Sequence, residues 1–276
     1  MSVKSSFLHA LSVLLHGELK PVYANISYLQ PDRRLQGKKV IITGGGRGLG
    51  AFMAAKFVNE GAEVLIAGRS ETTLKETSEQ LGCKFLTLDV SKPATFREFI
   101  QKADEILGGV NCIVNNAGIS LHEKTFFDVT PETFDAQVDT NLKGCFFITQ
   151  EFVRLLKSKN EKGIVLFTSS ETGDTMDFRP YGFTKAAVNS MVQGLAYLFR
   201  KDGIRVNAVA PGITASDMTG VAKDGNLAAG SYATGRYYLP EEVAETACFL
   251  LSDASGCVSG QIITCNNAQT INARWK

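Results

Sequence analysis

The 276-residue chain carries 29 basic and 28 acidic side chains, a formal net charge of +1. That balance gives no electrostatic footprint for nucleic acid or an anionic membrane, so the expected partner is a small molecule. No apolar run approaches the roughly 18 residues that a membrane-crossing helix needs. Six cysteines (Cys83, Cys112, Cys145, Cys248, Cys257, Cys265) lack any Cys-x-x-Cys spacing and, with three histidines, offer no metal-ligand pattern. They read as reduced, mostly buried thiols of a cytoplasmic protein.

In chain order, residues 1–37 stand apart as an N-terminal extension. Phe7, Leu8, Leu11, Leu14 and Leu15 recur at helical spacing and predict a short amphipathic helix ending near Gly17. Lys4 and Ala24 sketch a secretory leader, but His9, His16, Glu18, Lys20 and Pro21 interrupt it, so an arm packed on the body or on a partner subunit is expected. Residues 38–276 form one domain. Short apolar runs predict strands at Val40 to Thr43, Glu63 to Ala67, Lys84 to Leu88, Cys112 to Asn115, Ile164 to Thr168, Arg205 to Ala208 and Gln261 to Thr264. Helix-length segments lie between them, with starts marked by Ser91 before Pro93, Thr130 before Pro131 and Leu239 before Pro240. Continuous β-branched runs alternating with helices argue an α/β fold: a doubly wound parallel sheet of about seven strands, Rossmann-type, in three layers.

The first strand runs into Thr43-Gly44-Gly45-Gly46-Arg47-Gly48-Leu49-Gly50, and a helical pattern from Ala51 to Asn59 follows at once. Glycines there let the backbone approach a pyrophosphate, and the helix N-terminus favours its charge. An NAD site would carry an acidic side chain near the end of the second strand; Gly68 and Arg69 stand there instead. Arg47 and Arg69 together suit a 2′-phosphate, which assigns NADP(H), unless both are merely solvated surface arginines. Further on, Tyr181 precedes Lys185 by four residues, so in a helix the ammonium would sit beside the phenol and favour its ionised form.

These segments, with Leu88-Asp89-Val90, Asn115-Asn116-Ala117-Gly118, Asn141, Ser170 and Pro211-Gly212 in the same order, resemble the short-chain dehydrogenase/reductase family over about residues 37 to 264. The resemblance implies that Tyr181 exchanges a proton with the substrate oxygen, Ser170 hydrogen-bonds that oxygen, and Lys185 tunes Tyr181 and binds the nicotinamide ribose. Asn141 would hold a water that links Lys185 to solvent. For the cofactor it implies roles for Gly44, Gly46, Arg47, Gly48, Leu49, Gly50, Arg69, Asp89, Val90, Asn116, Ala117, Gly118, Pro211, Gly212, Ile213 and Ser216. The bland readings are that Asp89 caps the next segment, Asn116 braces the sheet and Pro211-Gly212 is a plain turn.

The chain departs from the family in three places. Ser170 precedes Tyr181 by eleven residues, two fewer than usual, which shortens the loop from Glu171 to Pro180. Ser170 is preferred to Ser169 because Gly173 follows it by three. Cys265-Asn266-Asn267-Ala268 replaces the family's Asp-Gly-Gly, and Ser216 stands where a threonine is usual. A lid from about Ile213 to Tyr238, glycine- and alanine-rich, offers Met218, Leu227, Tyr232, Tyr237 and Tyr238 to the substrate pocket. His122 reads as a surface or packing residue more than as a ligand for substrate, and Phe146-Phe147 as helix core. The implied activity is hydride transfer between NADP(H) and a ketone or secondary alcohol, as in 3-oxoacyl-carrier-protein reductases. Alternatives are a sugar-alcohol or hydroxysteroid dehydrogenase, or a non-catalytic dinucleotide-binding protein. A homotetramer or homodimer is implied, built through helices holding Phe134 to Ser158 and Tyr181 to Arg200.

Overall fold

In a computed structural model of the chain, Tyr23 and residues 33–216, 218–230, 232 and 234–271 are described. The helix expected at Phe7 to Leu15 lies outside them. Seven strands, β1 (Lys39–Thr43), β2 (Glu63–Gly68), β3 (Lys84–Thr87), β4 (Cys112–Asn115), β5 (Gly163–Thr168), β6 (Ile204–Pro211) and β7 (Ile262–Cys265), form one sheet in the order 3-2-1-4-5-6-7. Every neighbouring pair is parallel. Such a sheet must be covered on both faces, and the sequence supplies the cover. Helices α1 (Gly48–Asn59), α2 (Glu71–Leu81) and α7 (Pro240–Leu251) bury Met53, Phe57, Leu74 and Leu251 against Val40, Ile42 and Ile66. On the other face, α3 (Phe96–Leu107), α5 (Cys145–Lys159) and α6 (Pro180–Phe199) bury Phe99, Phe152 and Val192 against Ile41, Ile113 and Val165. Alternate residues of each strand serve opposite cores, as the period-two geometry requires.

The order reverses between β1 and β4, which opens a crevice at the carboxyl ends of the strands, where open α/β sheets bind ligands. The helix starts follow the proline signals, with local differences. α4 (Pro131–Val138) begins at Thr130, whose hydroxyl accepts from the Thr133 N–H at 3.3 Å. α7 begins at Leu239, whose N–H donates to the Glu242 carboxylate at 2.7 Å. After Pro93 a single tight turn, Pro93–Thr95, precedes α3.

Phe146 and Phe147 are not core: they are 43 % and 38 % exposed, edge to face at 5.2 Å, because Cys145, Ile148, Phe152 and Leu156 already fill the buried face of α5. The lid also differs from the expected loose segment. Leu227 is fully buried with Ala215 and Leu239 in a small core of its own, so it holds the lid together and does not line the cleft. Leu35 is likewise fully buried, and the Leu35 N–H donates to the Glu60 carbonyl at 2.9 Å, so the turn before β1 packs against the body.

Candidate active site

The glycine-rich loop is shaped by close approaches that a side chain would obstruct. Gly44 has φ +66°, and a Cβ on it would meet the Ala117 Cα at 2.9 Å; one on Gly50 would meet the Gly44 carbonyl at 2.2 Å. Gly46 accepts from the Thr77 hydroxyl at 2.7 Å, and Gly48 takes φ +53° as the chain enters α1. Thr43 organises the neighbouring loop: its Oγ1 accepts from the N–H groups of Asn116 and Ala117 at 3.1 Å each. The Asn116 amide donates to the Thr43 and Gly44 carbonyls at 3.1 Å each. Asn116 therefore braces the loop, which leaves main chain as what Ala117 and Gly118 can offer a ligand.

The α1 N-terminus suits an anion. Arg47 occupies the cap position with extended backbone and makes no side-chain cap, and the first turn holds no acidic residue. Its N–H donors thus face no carboxylate of the chain's own. Arg47 and Arg69 are exposed, and neither side chain has a hydrogen-bond or ion-pair partner among the described residues. A depression of about 430 Å³, lined by Arg69, Asp89, Lys92 and Thr87 among others, opens beside β3. Burial works against ionisation of Asp89, yet bonds from the Ser91 N–H (3.0 Å) and hydroxyl (2.7 Å), with Lys92 and Arg69 nearby, hold its carboxyl below the usual range. Asp89 thus caps the following turn through Oδ1. Val90 packs beside it, its carbonyl 2.2 Å from where a Cβ on Gly144 would stand. The residues present therefore fit a dinucleotide.

The chemistry-bearing side chains come from the turn after β5, from α6 and from the helical segment before α5. The turn Asp139–Gly144 is a π-type helix joining α4 to α5, a local widening common at functional sites. It places Asn141, 2 % exposed, against Ile119: Asn141 Oδ1 accepts from the Ile119 N–H and Nδ2 donates to the Ile119 carbonyl, both at 2.8 Å. Nδ2 also reaches the Thr184 hydroxyl at 3.3 Å. Lys185, 4 % exposed, donates to the Thr168 carbonyl at 2.7 Å, and its Nζ lies 5.5 Å from the Tyr181 ring centroid. The i, i+4 spacing in α6 thus places the ammonium beside the phenol. A Cβ on Gly118 would come 3.3 Å from Asn141 Oδ1 and 3.7 Å from Lys185 Nζ, so this glycine keeps the lysine approachable.

Of the two serines, Ser169 is spent inside the fold: its hydroxyl donates to Asn189 Oδ1 at 2.5 Å and contacts the Lys185 carbonyl at 3.4 Å. Ser170 Oγ accepts from the Thr172 N–H at 3.2 Å and the Thr172 hydroxyl at 3.0 Å, which leaves its own proton to donate. The shortened loop after it forms the single turn Glu171–Asp174, then Asp177 and Arg179 pair through two bonds of 2.8 and 2.9 Å. Asp177 folds directly over Gly182, where a Cβ would meet the Asp177 Cβ at 2.4 Å.

At the far wall, Pro211 ends β6, and the Gly212 N–H donates to the Cys265 carbonyl at 3.1 Å. The Ile213 carbonyl accepts from the Tyr238 N–H at 3.1 Å, which shuts the base of the lid. The Ser216 N–H donates to Thr219 Oγ1 at 3.1 Å, and His122 Nε2 lies 3.2 Å from the Met218 carbonyl, so the loop after β4 touches the lid. The sequence alone gives no individual role to Thr43, Asn266 or Glu171, the last being only the first residue of the shortened loop expected to form one wall of the substrate pocket. For Thr43 the signal was a hydroxyl at the strand end before a glycine run; for the other two it was absent. Among the described residues no group of three or more His, Cys, Asp or Glu side chains could hold a metal ion, and no helix is long and apolar enough to cross a membrane.

A switch-point crevice with an anion-receptive helix end and a serine, tyrosine and lysine at its floor defines a dinucleotide-dependent oxidoreductase of Rossmann type. The chain belongs to the short-chain dehydrogenase/reductase family: the family model described as enoyl-(acyl carrier protein) reductase matches residues 44–267. It is 33 % identical over 245 residues to a 3alpha-hydroxysteroid dehydrogenase of Mediterraneibacter gnavus, covering 85 % of this chain and 97 % of the relative. It is 31 % identical over 250 residues to an L-rhamnose 1-dehydrogenase (NADP(+)) of Thermoplasma acidophilum, covering 86 % and 98 %. Among solved structures, 3-ketoacyl-(acyl-carrier-protein) reductase from Brucella melitensis complexed with NADH superimposes with TM-score 0.78 at 27 % identity, covering 86 % of this chain and all of that one.

Proposed function

We propose that the protein interconverts a ketone and a secondary alcohol with NADP(H), as 3-oxoacyl-carrier-protein reductases do, with sugar alcohols and hydroxysteroids as alternative substrates of the same chemistry. The observation that carries this reading is the placement of Ser170, Tyr181, Lys185 and Asn141 at the carboxyl ends of β4 and β5, beside the open N-terminus of α1. The nicotinamide, when bound, supplies or accepts the hydride. The Tyr181 hydroxyl donates its proton to the carbonyl oxygen in reduction and takes it back in oxidation. Ser170 donates a hydrogen bond to that oxygen as negative charge grows on it. The Lys185 ammonium lies beside the phenol and steadies the phenolate left behind. Asn141 fixes Ile119 and the widened turn, and through them a water route by which Lys185 regains contact with solvent. A non-catalytic dinucleotide sensor would need none of these four.

Arg47 and Arg69 supply the cofactor preference: both are exposed and unpaired among the described residues, and no acidic side chain ends β2. Asp89 would take the adenine amine through its second oxygen, and Gly212 and Ile213 would border the nicotinamide carboxamide. Assembly as a homotetramer or homodimer through α5 and α6 fits the exposed Phe146, Phe147, Tyr197 and Leu198 on those helices. A panel of acyl thioesters, sugars and steroids with NADPH and NADP+ tests the reading, and turnover of at least one is expected. Tighter binding of NADH than NADPH would refute the arginine assignment.

A further inference from the structure

Glu171 follows Ser170 directly, and its carboxylate is where three segments meet. Oε2 accepts from Asn266 Nδ2 at 2.9 Å, and Oε1 lies 3.4 Å from the hydroxyl of Tyr232 in the lid. Asn266, 2 % exposed, is held in turn: its carbonyl accepts from the Tyr238 hydroxyl at 2.5 Å and its Nδ2 also donates to the Thr270 hydroxyl at 2.9 Å. Burial and then the neighbouring Glu171 carboxylate push the Tyr232 phenol upward, so it stays a neutral donor. Tyr232 stacks edge to face on Tyr238 at 5.7 Å. The carboxylate is thus fixed in place between the serine turn and the lid.

It is also only partly satisfied. An ionised carboxylate offers about four acceptor positions, whereas two donors reach this one, and no basic side chain pairs with it among the described residues. Glu171 is half-buried, so it remains within reach of a small molecule under the lid. A fixed carboxylate with open acceptor positions, on the residue that follows Ser170, favours a ligand that brings hydroxyl donors over one that brings a carboxylate or phosphate. A departure from the family pattern lies here as well: the shortened loop begins at Glu171.

We propose that Glu171 reads a hydroxyl group next to the reacting carbon, which makes the substrate a neutral polyhydroxylated compound, an aldose or polyol. This rests on the oxidoreductase reading above. The test measures kcat/KM for wild type, Glu171→Gln and Glu171→Ala with L-rhamnose, L-fucose, D-gluconate, a 3-hydroxysteroid and cyclohexanol, using NADP+. Wild type is expected to prefer a neutral sugar. In Glu171→Ala the ratio of kcat/KM for that sugar over cyclohexanol is expected to fall roughly 10- to 100-fold, mainly through KM, the loss typical of a charge-assisted hydrogen bond. Glu171→Gln, which keeps an acceptor for Asn266, should fall less and controls for folding. A wild-type preference for the steroid or the sugar acid, or a ratio unchanged in Glu171→Ala, overturns the proposal while leaving the oxidoreductase reading intact. Tight NADPH binding with no turnover of any probe in either direction removes both.

Discussion

Lys185 is a buried ammonium with no ion pair among the described residues, its Nζ satisfied by the Thr168 carbonyl and facing the Tyr181 ring. Burying an unpaired charge is costly, and its retention fits the role proposed for Lys185 beside Tyr181. Gly182 answers a different need one turn earlier in α6. Asp177 occupies the space of its missing side chain, and that contact, with the Asp177–Arg179 pair, closes the shortened loop from Ser170 to Tyr181. Gly182→Ala should therefore displace Asp177, lower stability by about 1–3 kcal/mol as overpacking does, and depress turnover through misplacement of the neighbouring Tyr181. Urea unfolding and steady-state kinetics on the same preparation would check this; a neutral substitution would mean that the loop closes without the contact.

At the scale of elements, the turn before β1 is fastened to α1 and α7 by ion pairs. Arg34 bonds Glu60 at 2.5 Å and Glu245 at 3.0 Å, while Lys56 bonds Glu60 at 2.9 Å and also reaches Glu245. The Arg34 hydrogen bond, opposed by burial and aided by Lys56, holds the Glu60 carboxyl at about 2, against 4.5 for an unperturbed group. A carboxyl with a depressed folded-state pKa stabilises above its unfolded value and loses that contribution as pH falls from about 4.5 towards 2. The shift corresponds to about 3 kcal/mol at neutral pH. Glu60→Gln should reduce the acid-side slope between pH 5 and 2, read from urea midpoints, by the share that Glu60 contributes beside Asp89, Asp177 and Glu242, and an unchanged slope would contradict it.

The strands were legible because a parallel sheet buried on both faces demands continuous apolar runs, and Val40 to Thr43 or Ile164 to Thr168 offer nothing else. β6 runs on through Val209 and Ala210 to Pro211, beyond its expected end, because those residues still pair with Ile263, Thr264 and Cys265, and Pro211 sits at the strand's last position. Asn141, Ser170, Tyr181 and Lys185, the residues proposed for the chemistry, were legible as candidates because each lies in a short, recognisable block. Glu171 and Asn266 were not, because they lie 95 residues apart and each alone is an ordinary polar turn residue. Phe146 and Phe147 misled for a related reason: periodicity finds an apolar stripe, but only packing decides which part of it the core can hold.

For the whole molecule, the exposed aromatic and aliphatic residues of α5 and α6 form surface that a lone subunit would leave to water: Phe146 at 43 %, Tyr197 at 70 % and Leu198 at 61 %. If copies associate there, Leu198→Glu should shift micromolar protein to a smaller species in light scattering. Deleting residues 1 to 30 then tests whether the N-terminal extension adds to the same interface, and an unchanged elution volume would assign it elsewhere. The proposed function turns on hydride transfer in the crevice with Tyr181 as the proton donor. Tyr181→Phe tests it most directly, with NADPH affinity followed by fluorescence titration and turnover followed as NADPH oxidation by an accepted carbonyl. NADPH affinity is expected to stay within about threefold of wild type and turnover to fall about 100- to 10,000-fold, the range typical of a lost general acid. Undiminished turnover in Tyr181→Phe would contradict it.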